Sequence, residues 1–183
     1  MSEQLIVKHC SPTLAGIKTG NLFSCAYKDK TELISSVREL NRKLVPKGIR
    51  VLPLRCSQKR ALIYVYRPNS LKQDLCRGEA LDILKQAGYE KTSQTYCIGE
   101  LTRRLRLQED FPHEVGLFLS YPPEDVRAFI ENKGAECKCV GCWKVYGDEK
   151  EAQRLFHSYK CCTDHYCQQW HNGVSLEELT AAI

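Results

Sequence analysis

Two short β-forming runs set the tightest limit on how this chain folds. Val51, Leu52 and Leu54 stand in the stretch 50–55, and Ala61-Leu62-Ile63-Tyr64-Val65-Tyr66 follows after the five residues 56–60. A connection that short joins antiparallel neighbours, because parallel strands need a crossover of a dozen or more residues. A purely doubly wound parallel sheet is therefore disfavoured. Three further apolar runs bounded by breakers read as strands: 4–9, 115–121 and 140–146. Val115 to Leu119 is the most apolar of them and is expected at the centre of the sheet, buried on both faces.

Helix signals fill the intervals. Leu33, Ile34, Val37, Leu40 and Leu44 recur at helical spacing over 30–45, between a capping Asp29 and the stop Pro46-Lys47-Gly48. Further helices are expected over 70–76, 79–86, about 95–107, 123–132 and 149–159. Ser175-Leu176-Glu177-Glu178 reads as a capping box that opens a short last helix. Gly16, Gly20 and Asn21 break the region after residue 14 into short helical turns. The expected fold is α/β, with α+β as the alternative. It is a single domain with a mixed sheet of about five strands, helices packed on it, and a cysteine-rich C-terminal segment 137–183. At 183 residues and 43% hydrophobic, the chain is long and apolar enough to bury a real core.

Charge and cysteine usage narrow the function classes. A net charge of +5 is too mild for a dedicated nucleic-acid surface, and the densest basic cluster, Arg103, Arg104 and Arg106, reads as a solvated helix face. No apolar run approaches membrane-spanning length, and Met1-Ser2-Glu3-Gln4 lacks the basic start of a signal peptide. The reading is a cytoplasmic protein with no membrane partner. Its eleven cysteines are then expected as thiols, metal ligands or redox groups rather than as disulfides.

Three constellations carry chemistry. In the first, Ser11 and Pro12 read as the start of a helix, which puts His9 and Cys10 on a strand-to-helix turn. Unpaired N–H groups there would favour a thiolate. His113 could accept the thiol proton and Glu114 could orient the imidazole, giving Cys10, His113 and Glu114 the roles of nucleophile, base and orienter. His9, Lys18, Asn21 and Arg67 would bind an anionic substrate. The same Cys, His and Glu groups could instead hold zinc or ferrous iron, but adjacent residues of a strand point to opposite faces. The bland reading is that Cys10 is a buried, inert cysteine.

The second constellation is Cys139-Val140-Gly141-Cys142 with Cys162-Thr163-Asp164-His165, whose spacing resembles that of zinc-ribbon ligands. Cys139, Cys142, Cys162 and His165 are the candidate metal ligands, for zinc or iron, against free thiols in a reduced compartment. The third is aromatic and basic: Tyr64, Tyr66 and Arg67 on one strand, Trp143, Lys144 and Tyr146 on another. Such strands can stack nucleic-acid bases, but Tyr and Trp also suit half-buried sheets.

Four ordered motifs together resemble one family. They are His9-Cys10-Ser11-Pro12-Thr13-Leu14-Ala15-Gly16-Ile17-Lys18, Leu62-Ile63-Tyr64-Val65-Tyr66-Arg67-Pro68, Phe111 to Val126, and Gly141-Cys142-Trp143-Lys144-Val145-Tyr146-Gly147-Asp148. The family is the uncharacterised one of anaerobic bacteria known as domain of unknown function 3793. The resemblance covers about residues 5–162 and implies no activity. It implies a neighbourhood of flavodoxin and iron-transport functions, and it does not carry the cysteines of the last third. The functional expectation is a small-ligand-binding protein or enzyme with a Cys/His/Glu site. The competing class is a metal-handling or redox-accessory protein using the C-terminal cysteines.

Overall fold

The structure is a computed structural model that describes residues 1–107 and 110–182. Helices and strands are mixed, as expected. The sheets are smaller than expected: three strands in one and two in the other, rather than about five in one. The chain divides into two compact units, Met1–Asn69 with Tyr159–Ile183, and Ser70–Ser158.

The first unit opens with helix α1 (Glu3–Leu14), where the sequence suggested a strand over 4–9. Ile6, Val7, Cys10 and Leu14 are fully or almost fully buried, and their spacing is that of one helix face. Pro12 and Ser11 stand in the last turn of α1 and do not begin a helix. Pro12 has no N–H to give, yet the helix persists because its apolar stripe is anchored in the core.

Strand β1 (Gly20–Ala26) follows, in a region read from sequence as short helical turns. It pairs antiparallel with a later strand, which overrides the breaker character of Gly20 and Asn21. Helix α2 (Lys30–Leu44) matches its sequence signals. Asp29 accepts the N–H of Glu32 at 2.9 Å, and Leu33, Val37, Leu40 and Leu44 face inward. Each such buried side chain contributes about 1.5–3 kcal/mol. Gly48 stops the chain in the left-handed region at φ 77°.

The hairpin is present and tighter than expected. Strands β2 (Arg50–Ser57) and β3 (Arg60–Tyr66) are joined by Gln58 and Lys59 alone, both at positive φ. Two left-handed residues in a two-residue loop match the twist of the flanking strands. The order is β1-β3-β2, so β3 is central. Asn41 of α2 pins the edge strand: its amide donates to the Val51 carbonyl at 2.8 Å and accepts the Val51 N–H at 2.9 Å. Helices α1 and α2 pack on the sheet, and Phe23, Cys25, Val51, Ala61, Ile63 and Val65 form the sheet's share of the core. Tyr64 and Tyr66 point to the opposite face with rings stacked at 4.7 Å.

Helices α3 (Pro68–Leu75), α4 (Gly78–Gln86) and α5 (Gln94–Leu107) come next, close to their expected bounds. The run expected as the central strand is instead the short helix α6 (Val115–Phe118). Successive backbone bonds, Val115 N–H to Pro112, Gly116 to His113 and Leu117 to Glu114, wind it from the proline onward. A short, wholly apolar run has no period, so strand and buried helix look alike in it. Helix α7 (Pro123–Glu131) begins at Pro123 as expected and packs against α4 and α6. Gly116 permits that approach, since a Cβ there would sit 2.7 Å from the Val126 side chain.

The expected strand 140–146 is a miniature hairpin, β4 (Cys139–Val140) against β5 (Lys144–Val145), turning through Gly141 to Trp143. Gly141 is needed there because a Cβ would collide with the Phe156 ring. Helix α8 (Glu149–His171) runs twelve residues beyond the expected end at Tyr159. Tyr166, Cys167 and Trp170 lie against the first unit's core together with Leu176 and Leu179, so the polar-looking tail carries a helical apolar stripe. The capping box forms over one turn, with Ser175 Oγ bonded to Glu178 Oε2 at 2.6 Å. No helix among the described residues is long and apolar enough to cross a membrane.

Candidate ligand-binding site

The second unit holds a cavity of about 410 Å³. Its frame is one buried carboxylate. Asp125, in the first turn of α7 and 2% exposed, accepts three N–H donors. They are Trp143 Nε1 and the backbone amides of Tyr146 and Gly147, each at 2.7 Å. Bonds to an ionised acceptor are the strong ones, and together these fasten the β4–β5 hairpin to α7. Trp143 is thereby fixed as a wall. Tyr121 stacks on it with centroids 4.9 Å apart, and Phe156 meets it edge-on at 4.5 Å. Tyr121 donates its hydroxyl to the Cys142 carbonyl at 3.0 Å, which locks the turn.

Phe129 and His113 also line the cavity, edge to face at 4.9 Å. Lys144 completes the lining. Its ammonium lies 5.9 Å from the Phe129 ring centroid and donates to the Gly134 carbonyl at 2.6 Å. The third constellation is thus divided: Trp143 and Lys144 line this cavity, while Tyr64 and Tyr66 belong to the first unit. Asp125, Tyr121, Phe129 and Phe156 escaped the sequence reading. Asp125 looks like an ordinary first-turn acid, and the three rings come from the turn before α7, from α7 and from α8, with no common period.

His113 and Glu114 are neighbours in sequence that face different partners. Glu114 is buried, accepts the Tyr89 hydroxyl at 3.1 Å and lies 3.5 Å from Arg104. Arg104 also covers the Tyr89 ring and pairs with Glu100 at 2.8 Å. Burial first, then the Glu114 charge, pushes the Tyr89 hydroxyl far above its ordinary value. The Arg103 guanidinium bonded to Glu100 holds that carboxyl at about 2. Glu114 thus belongs to a structural network. His113 is exposed, makes no side-chain hydrogen bond among the described residues and is not oriented by Glu114. It also lines a second cavity of about 290 Å³ shared with Phe111, Glu114 and Arg127.

The remaining candidates of the first constellation lie in the first unit. Cys10 is inside α1 and fully buried, not at a helix N-terminus, and burial pushes its thiol far up against the smaller opposing effect of Lys18. His9 stacks on Phe23 at 5.1 Å, and partial burial lowers its pKa. Asn21 accepts the Thr13 hydroxyl at 2.7 Å. Lys18 is buried, with its ammonium 5.4 Å from the Tyr159 ring centroid. Arg67 donates to the carbonyls of Thr13, Leu14 and Ala181 at 2.7–2.8 Å, which closes the C-terminal end of α1. Its guanidinium is engaged by backbone.

All eleven cysteines are free thiols. Cys139 and Cys142 sit in the β4–β5 hairpin of the second unit, and Cys162 and His165 on the α8 segment of the first. Burial raises the Cys162 thiol to about 11. Among the described residues, no group of three or more His, Cys, Asp or Glu side chains is disposed to hold a metal ion.

Residues 6–180 match the family model described as "Protein of unknown function (DUF3793)", and the chain belongs to that family. Neither the curated proteins nor the solved structures contain a match.

Proposed function

We propose that this member of a family without an assigned activity is a small-ligand-binding protein, with its ligand in the second unit's cavity beside His113. The observation that carries the reading is the cavity itself: about 410 Å³, walled by aromatic rings of which Trp143 is held by a fully bonded Asp125. Small-molecule sites have this size, this apolar lining and few polar groups. Binding is favoured over thiol catalysis because Cys10 is enclosed in α1 and Glu114 is committed to Tyr89 and Arg104. A metal-handling role through Cys139, Cys142, Cys162 and His165 has no comparable geometric support. Eleven free thiols support a cytoplasmic setting, in which a link to flavodoxin or iron metabolism remains part of the proposal.

The test fills the cavity from its rim. Val140 lines it and is 68% exposed, so Val140→Trp adds a ring without disturbing the core. Saturation-transfer NMR with a panel of small aromatic fragments should give hits on the native protein that disappear in the variant. The same hits on both proteins would sink the proposal.

A further inference from the structure

We infer that the cavity selects flat aromatic ligands that carry an anionic group, with the rings against Trp143 and Phe129 and the anion at Lys144. The inference rests on the proposed binding function and specifies its ligand class. It follows from which polar groups at the cavity have capacity left. Asp125 is the acidic side chain of the lining, and both its oxygens are occupied: Oδ2 by Trp143 Nε1, Oδ1 by the amides of Tyr146 and Gly147. A buried carboxylate compensated by three donors has little left for a ligand's donor. Lys144 has three donor hydrogens and gives one to Gly134, which leaves two. His113 makes an edge contact with Phe129 and no side-chain hydrogen bond among the described residues. The His113 ring keeps one donor and one acceptor, and the accessible charge of the lining is the Lys144 ammonium, which is positive.

The apolar surface sets the rest of the class. Trp143 is stacked at an interplanar angle of 29° by Tyr121, itself part of the lining, and met edge-on by Phe156, so it is a rigid plate. Rigid aromatic plates favour flat, offset-stacked partners. Lys144 lies beside the Phe129 ring, so a ring on that wall brings its substituent within reach of the ammonium. An ammonium in an apolar rim binds an anion more strongly than the same pair does in water.

Two fluorescent probes with the same aromatic skeleton separate the terms. One is 8-anilinonaphthalene-1-sulfonate and the other is uncharged N-phenyl-1-naphthylamine. The native protein should bind the sulfonate at one site, about tenfold more tightly than the neutral probe. Lys144→Met should remove that advantage, so that the sulfonate binds no more tightly than the neutral probe in that variant, and Lys144→Arg should keep it. Val140→Trp should weaken both. Circular dichroism and thermal melting would establish that each variant is folded. Equal affinity for the two probes, both sensitive to Val140→Trp, would overturn the anionic class while leaving the cavity as a binding site. Binding of neither probe, or of both in the Val140→Trp protein, would overturn the inference together with the cavity it rests on.

Discussion

Arg67 in the first unit and Asp125 in the second are both buried charges, 3% and 2% exposed, and they are satisfied in opposite ways. Arg67 gathers the carbonyls of Thr13, Leu14 and Ala181 from two chain segments and seals a core formed by a sheet and its helices. Asp125 gathers N–H groups from one small hairpin and holds a tryptophan at the edge of empty space. In the first unit, regular ladders and helix faces pack around one apolar core. In the second, a four-residue helix and a two-residue ladder cannot fill the space between them, so large rings wall it in. Buried polar groups therefore serve closure in one region and the construction of a site in the other.

The largest expected effect comes from removing the carboxylate. Asp125→Ala strands an indole N–H and two amides and should cost about 3–5 kcal/mol in urea unfolding. It should also abolish probe binding under conditions where the protein remains folded. Unchanged binding in that variant would mean that Trp143 is positioned by its ring contacts alone. Arg67→Met should cost less, about 2–3 kcal/mol, because orphaned carbonyls are better tolerated than orphaned N–H groups. Probe binding should survive it, and a loss as complete as that of Asp125→Ala would erase the distinction between the two regions. The smallest effect is kinetic. At neutral pH, Cys10 should be alkylated about tenfold or more slowly than the exposed Cys142 and Cys161. Peptide mapping over a time course reads this directly, and equal rates would mean that α1 opens readily.

Much of the first unit was legible because its signals are local and periodic. The stripe of α2, its Asp29 cap and the hairpin runs each point to one structure. The same logic fails at α1, where Ser11 and Pro12 imitate a helix start although Ile6, Val7, Cys10 and Leu14 keep helical spacing. It failed at α6 because an unbroken apolar run has no period to read. The candidate site was half legible. His113, Trp143 and Lys144 stood out as residue types, but the cavity depends on Asp125 meeting a hairpin some twenty residues later, and no spacing rule encodes that meeting.

The interleaving of the two units along the chain has a consequence for synthesis. Residues 70–158 form one unbroken stretch, so the second unit has its full set of side chains before the last segment of the first unit is made. The first unit begins at the N-terminus, yet its core includes Leu176 and Leu179, and Arg67 is completed by the Ala181 carbonyl. Its earliest strands and helices therefore leave the ribosome without their last partners and wait through the making of more than a hundred residues. During that interval the apolar faces of α1 and α2 can be reached by chaperones, and this region closes only once Leu176, Leu179 and Ala181 have left the ribosome.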